Sequence, residues 1–347
     1  MALSTILVKP EQLDEAALRN AARDVLSATL TRFTSLPADA QLTQLLEFVE
    51  SLKEMPLALP SQPEFDAYEL PTEFFEIILG KRLKFGALYF KNFEPIALDE
   101  AEDAMLELYF ERARIQDGQT ILDIGAGWGA ASFYIAERCP RSHITAVCSK
   151  LQKDYIDNKC RELGISNVRA IESDICTLEL NETFDRSLVS HKDLVQYLKN
   201  YKLLFEKISS WMTPDGLLFI EALTHKSFAR HYQETQGDEM TAWIGKYFLN
   251  GGTLLADSLL LNFQDDLSIV GHWRIDGRHH GLSSDAYARQ MSENADLIRP
   301  IFNDVYGKEQ ANVWMGRWKA VFILFAEMYK FDNGQQWLLS HYLFKKN

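Results

Sequence analysis

Thr120-Ile-Leu-Asp-Ile-Gly-Ala-Gly-Trp-Gly129 is the stretch that most limits what this chain can fold into. Ile121 to Ile124 form an apolar run interrupted by one acid, Asp123, and read as a buried strand. Gly125, Gly127 and Gly129 follow at alternate positions and read as a tight turn whose backbone a ligand can approach closely. Ala130 to Arg138 then reads as a helix. Strand, glycine turn and helix N-terminus in that order make a nucleotide-type cofactor site in an α/β sheet. The turn alone suits S-adenosylmethionine (SAM), NAD or a purely structural bend. Asp123, two residues before Gly125, favours SAM, because a carboxylate there can hold the methionine ammonium.

The surrounding segments extend this unit into a doubly wound sheet. Leu98 to Ile115 reads as a helix with acids in its first turns. His143 to Cys148, Val168 to Ile171, Phe184 to Ser190 and Leu217 to Ala222 read as further strands. The helices between them are Leu151 to Leu163, ended by Gly164, and Lys199 to Met212, stopped by Pro214-Asp-Gly216. This alternation predicts a parallel sheet, a Rossmann-like α/β core over 96–222. Residues 1–95 read as a helical extension and lid, with helices at 11–34 and 38–54. After Ala222 the alternation fails, and 223–280 reads as a cap insertion followed by a sixth strand, Leu267 to Trp273. Residues 281–347 hold helices near 284–299 and 309–329 and a final strand, Trp337 to Phe344.

A net charge of -13 disfavours a nucleic-acid groove or an anionic membrane surface and suits a cationic small substrate. The most apolar stretch, Ala320 to Ala326, is far shorter than the roughly 20 residues a spanning helix needs, so no stable membrane insertion is expected. Cys139, Cys148, Cys160 and Cys176 form no C-x-x-C pair and no zinc set with histidine. They read as reduced thiols of a cytoplasmic protein, and no metal site is expected.

A cofactor on the first helix lies across the carboxyl ends of the strands, each of which supplies a contact. These are Asp123, Gly125 and Gly127 after the first strand, and Cys148, Ser149 and Gln152 after the second, as candidates for the ribose hydroxyls. Asp174 and Ile175 after the third suit an adenine, and Val189 closes the fourth.

Longer matches then make the chain resemble the coclaurine N-methyltransferase family of plant alkaloid enzymes, related to cyclopropane fatty-acid synthases. They are Tyr68-Glu-Leu-Pro71, Leu79-Gly-Lys-Arg-Leu-Lys84, Glu100-Ala-Glu-Asp-Ala-Met-Leu-Glu-Leu-Tyr109, Leu122-Asp-Ile-Gly-Ala-Gly-Trp-Gly129 and Lys159-Cys-Arg-Glu-Leu-Gly164. Later come His225-Lys-Ser-Phe-Ala229, Asn262-Phe-Gln-Asp-Asp266, His272-Trp273 and Asn333-Gly334 with Trp337. The resemblance implies a class I SAM-methyltransferase fold, SAM as cofactor, and N-methylation of a small amine of phenylalkylamine or tetrahydroisoquinoline type. It also implies two-fold assembly. Carried over by position, Gly125, Gln152, Asp174 and Ile175 hold SAM, and Phe85 and Gly86 stand where the family has Tyr-Ser at the cofactor. Tyr68 and Glu69 match a pair facing the acceptor amine, and Phe228 and Tyr197 are taken as further substrate contacts.

The chain departs from the family after its fourth strand. The family's Glu-His pair becomes Gln196-Tyr197, and an earlier Glu becomes Asp193. Glutamine is no base, and tyrosine has an ordinary pKa of about 10. Glu69 therefore becomes the main candidate base and His191 the second. Two other readings stand beside the amine methyltransferase: a lipid-modifying enzyme of the cyclopropane synthase kind, and a non-catalytic SAM-binding relative.

Overall fold

The computed structural model describes residues 2–58, 70–94, 97–189, 198–232, 237–249 and 251–347. The chain begins with helices α1 (Leu3–Ile6), α2 (Glu15–Thr34), α3 (Ala38–Lys53) and α4 (Thr72–Ile78). Asp14 starts α2 by accepting a hydrogen bond from the Ala17 amide at 3.0 Å. Leu18, Ala21, Ala22 and Leu26 recur at helical spacing and are buried. The alternating unit follows: α5 (Leu98–Arg112), β1 (Thr120–Ile124), α6 (Ala130–Arg138), β2 (His143–Cys148), α7 (Lys150–Leu163), β3 (Val168–Glu172), β4 (Phe184–Val189), α8 (Tyr201–Ser210) and β5 (Met212–His225). The remainder is β6 (Arg230–His231), α9 (Glu239–Tyr247), β7 (Thr253–Ala256), β8 (Leu267–Ile275), α10 (Arg278–Glu293), α11 (Ala295–Tyr306), α12 (Ala311–Lys330) and β9 (Trp337–Lys346).

The first five strands pair in the order β3-β2-β1-β4-β5, all parallel. Leu217 to Ile220 of β5 pair with β4 and also with β9, so β9 lies antiparallel on the opposite edge of β5. β8 pairs antiparallel with β9 beyond it. β5 outruns β4, and its last residues, Thr224 and His225, pair with β7. The expected cap at 223–258 thus contributes a strand, β7, that adds to the sheet.

Two details differ from the expectations. Pro214-Asp-Gly216 lies inside β5 and does not precede it, because a register shift opposite Phe184 to Arg186 absorbs the irregular residues. The two expected C-terminal helices are three, since Asn294 leaves helical geometry (φ -113°, ψ 25°) between α10 and α11. The fourth strand is described as far as Val189, and the expected Ser190 lies outside the described residues.

Leu218, Phe219, Ile220 and Ala222 of β5 are fully buried in the middle of the sheet, each large side chain worth about 1.5–3 kcal/mol in burial. α12 covers this core and takes α2 with it. Glu327, itself buried, accepts from Arg19 at 2.7 Å and Arg23 at 2.6 Å.

Candidate active site

The glycine turn is held by its own backbone. The amides of Gly125 and Ala126 both donate to the Val147 carbonyl at 3.0 Å, so the loop is pinned to the end of β2. Gly127 and Gly129 have φ of 57° and 80°, the left-handed region that side chains resist. Their surroundings differ. A Cβ at Gly129 would lie 2.9 Å from Phe133 and 3.1 Å from Ile156, whereas one at Gly127 would meet nothing within 4 Å. Gly129 therefore serves packing, and Gly127 keeps the open side of the loop clear. One turn into α6, the Ser132 hydroxyl donates to Asp123 at 2.7 Å and fixes the buried carboxylate.

A cavity with about 810 Å³ of empty space, open solvent at its mouth included, opens over this turn. Asp123, Gly125, Ala126 and Gly127 form its floor, and Trp128 lines it beside them. Gln152 of α7, Leu188 and Val189 of β4, Phe219 and Glu221 of β5, Leu106 and Tyr109 of α5, and Leu83 to Phe85 complete the lining. The 83–85 wall is built on Glu102, whose carboxylate accepts from the amides of Gly80 (3.0 Å), Arg82 (2.8 Å) and Lys84 (3.1 Å). Burial raises the Glu102 pKa to about 7 against the pull of these donors. Leu83 sits at φ 53°, a strained value for a branched residue, at this wall.

A buried charge cluster lies against the same cavity. Lys84 donates to the Ala87 carbonyl at 2.8 Å and sits 3.4 Å from Glu221. His341 Nε2 donates to the other Glu221 oxygen at 3.0 Å, and Arg112 donates to His341 Nδ1 at 2.8 Å. That arrangement requires a neutral imidazole, and burial lowers the His341 pKa in agreement. Burial opposes the Glu221 charge, but Lys84, His341 and the Tyr109 hydroxyl outweigh it and hold the carboxyl well below its usual range.

Aromatic rings form the outer wall. The Trp128 indole donates to Thr72 of α4 at 3.1 Å and packs on Phe75 at 4.1 Å. Phe75 continues to Phe85 at 5.7 Å, and Phe85 to Tyr287 and Phe322 at 5.9 and 6.3 Å. Phe85 and Trp128 both line the cavity, and Tyr287 of α10 and Phe322 of α12 pack on Phe85.

Of the residues expected at the cofactor, Phe85, Asp123, Gly125, Gly127, Gln152 and Val189 line this cavity. Gly86, Cys148, Ser149, Asp174 and Ile175 are not among its lining residues. Cys148 is packed with Phe133, Ala146, Ile156 and Ala170, and burial pushes its thiol up to about 12. Ser149 and Gln152 form the capping box of α7, which is why both polar groups recur there. Asp174 accepts from the Cys176 amide at 2.7 Å in its own turn, and Ile175 is buried in the core. Gly86 accepts from Tyr287 through its carbonyl at 3.0 Å. Phe228 stacks on His225 at 3.6 Å and lines a separate cavity against α2 and α3. Tyr68, Glu69, His191 and Tyr197 lie outside the described residues. Sequence reasoning did not single out Lys84, Tyr109, Trp128 or Glu221 as site residues. Glu221 carried a signal, since it is a lone acid in the apolar run Leu217 to Leu223, as Asp123 is in its own strand.

Residues 62–325 match the family model described as mycolic acid cyclopropane synthetase. An (S)-coclaurine N-methyltransferase of Thalictrum flavum subsp. glaucum is 39% identical over 314 residues, covering 89% of this chain and 85% of that protein. A pavine N-methyltransferase of the same plant is 38% identical over 313 residues, covering 89% and 86%. The crystal structure of a coclaurine N-methyltransferase bound to N-methylheliamine and S-adenosylhomocysteine superposes with a TM-score of 0.90 at 35% identity, over 99% of this chain and 98% of that one.

Proposed function

Since the chain belongs to the coclaurine N-methyltransferase family, we propose that it methylates the nitrogen of a small amine of phenylalkylamine or tetrahydroisoquinoline type, with SAM as donor. The observation that carries this reading is the pairing, in one cavity, of an open glycine turn and buried carboxylates with the aromatic residues Phe85 and Trp128. The residues fit the cofactor. Gly127 leaves its face of the loop clear, Asp123 offers a fixed carboxylate to the amino-acid end, and Gln152 offers an amide further out. Asp174 and Ile175, at the next strand end, suit an adenine lying beyond Gln152. When bound, SAM supplies an electrophilic methyl on a sulfonium.

The chain's own part is positioning and exclusion of water. The aromatic wall holds a flat cationic or aromatic amine against Phe85 and Trp128. An amine must lose its proton before it accepts a methyl, and Glu69 and His191 are the proposed bases. Tyr68 and Tyr197 are the proposed acceptor contacts. The reading includes a cytoplasmic location, in keeping with four unbridged cysteines, and a homodimer, which light scattering of the purified protein tests. Among the described residues no helix is long and apolar enough to cross a membrane.

The test is incubation with SAM and a panel of primary, secondary and tertiary phenylalkylamines, with an unsaturated phospholipid as comparison. S-adenosylhomocysteine and methylated amine are expected. Turnover on the lipid alone would favour the cyclopropane synthase reading, and cofactor binding without turnover on anything would favour a non-catalytic relative. Unchanged turnover in both Glu69→Gln and His191→Ala would remove the base assignment.

A further inference from the structure

We propose that Glu221 is the residue by which the cofactor pocket distinguishes a cationic ligand from a neutral one. Ile124, Val189 and Ile220 pair across β1, β4 and β5. The next residues on the outer strands, Gly125 and Glu221, therefore stand level at the carboxyl edge of the sheet. Asp123, Leu188 and Phe219 form the paired row one step back, and Glu221 shares the face of Phe219 by alternation. Glu221 thus flanks the glycine turn from two strands away and lines its cavity.

The carboxylate is built to stay put and stay charged. It is 3% exposed. Lys84 approaches one oxygen at 3.4 Å, His341 donates to the other at 3.0 Å, and the Tyr109 hydroxyl supplies a third bond. A carboxylate has about four acceptor positions, so one remains for the cavity side. Lys84 offsets part of that charge, since the two form a buried ion pair at 3.4 Å, and its ammonium is shared with the Ala87 carbonyl at 2.8 Å. Among the charged side chains lining the cavity, the acids Asp123 and Glu221 outnumber the one base, Lys84. A fixed net negative charge beside the turn favours a sulfonium over a thioether. SAM and S-adenosylhomocysteine differ in that respect and share everything else except one methyl group. Glu221 therefore retains the donor and promotes release of the spent cofactor.

This inference rests on the SAM reading of the pocket and not on which amine is methylated. The test measures dissociation constants by titration calorimetry on the full chain, for SAM, sinefungin (an ammonium in place of the methylsulfonium) and S-adenosylhomocysteine. In Glu221→Gln, SAM and sinefungin are expected to weaken about tenfold, and S-adenosylhomocysteine by less than about twofold. A lone buried Lys84 can unfold that variant, so Lys84→Met/Glu221→Gln is measured beside it, where the preference for cations falls in the same direction by about threefold. Equal loss of all three ligands, or a SAM preference unchanged in whichever variant folds, overturns the assignment. Wild-type protein that binds none of the three overturns the cofactor reading itself, a separate outcome.

Discussion

Gly127 and Gly129 are two residues apart, share the left-handed backbone, and are expected to fail in opposite ways when a methyl is added. At Gly127 the new Cβ meets nothing within 4 Å. Its cost to folding is the left-handed strain alone, about 1–2 kcal/mol, offset by roughly 0.4–1 kcal/mol from the stiffer unfolded chain. A net loss of about 1 kcal/mol lowers the melting temperature by at most about 2–4 °C. The methyl projects into space the cofactor needs, so the dissociation constant for S-adenosylhomocysteine rises about tenfold or more, equivalent to about 1.4 kcal/mol per decade. At Gly129 the same strain is joined by contacts of 2.9 Å to Phe133 and 3.1 Å to Ile156. Phe133 and Ile156 are both buried, so Gly129→Ala costs about 2–4 kcal/mol. Urea unfolding and titration calorimetry on both variants give the two numbers for each. A Gly127→Ala protein that binds with unchanged affinity, or that loses more stability than Gly129→Ala, would refute the division of labour inferred here.

Three further outcomes follow from other parts of the fold. Lys199 is buried, donates to Thr253 at 2.7 Å, and has its pKa lowered to about 7 by burial. The folded state binds fewer protons than the unfolded one between about pH 7 and the ordinary lysine value of about 10.4, so Lys199 penalises stability below that window and the penalty fades as pH rises; the stability of wild type relative to Lys199→Met should increase from pH 6.5 to 9.5. Glu327 bridges Arg19 and Arg23, and because both arginines are partly exposed, Glu327→Ala should cost about 1–3 kcal/mol in urea unfolding and loosen α2 first in hydrogen exchange. Cys176 is exposed whereas the Cys148 thiol is buried and shifted to about 12, so a thiol reagent should label Cys176 rapidly and Cys148 only on unfolding.

The cofactor half of the site was legible because its signals are local. The strand, glycine turn and helix of 120–138 come from neighbouring residues, and the helix boundaries Ala130–Arg138 were read directly. Val189 and Gln152 followed from the rule that strand ends supply contacts. The same rule reached too far at Cys148, because position on a strand does not say which side of the sheet the last side chain takes, and Cys148 takes the side packed by Phe133 and Ile156. Ser149 was legible as polar but not as a helix cap. Pro214-Asp-Gly216 carried turn chemistry, and the strand keeps it as an irregularity between its pairings at Met212 and Leu217. The lining by Lys84 and Tyr109 depends on contacts between α5, the 80–86 segment and β5, and no local pattern encodes those.

The position of Glu221 bears on the sequence expectation that Gln196-Tyr197 stands where the family has a Glu-His pair. A group whose carboxyl is held far below the usual range is a poor proton acceptor, since a general base works best with a pKa near the operating pH. Glu221 is therefore unsuited to serve as the base, however well placed it is. What it can do is act on charge that is already present. In methyl transfer to an amine, positive charge leaves the sulfur and appears on the nitrogen, and a fixed anion level with the glycine turn stabilises whichever cation stands nearer. If it stands nearer the sulfur, it favours donor binding at some cost to the transfer step. If it stands nearer the nitrogen, Glu221→Gln slows transfer more than it weakens SAM. A single-turnover rate measured with saturating SAM, set beside the SAM dissociation constant of the same variant, separates the two: an unchanged or raised rate with weakened binding assigns Glu221 to the donor, and a lowered rate with intact binding assigns it to the acceptor.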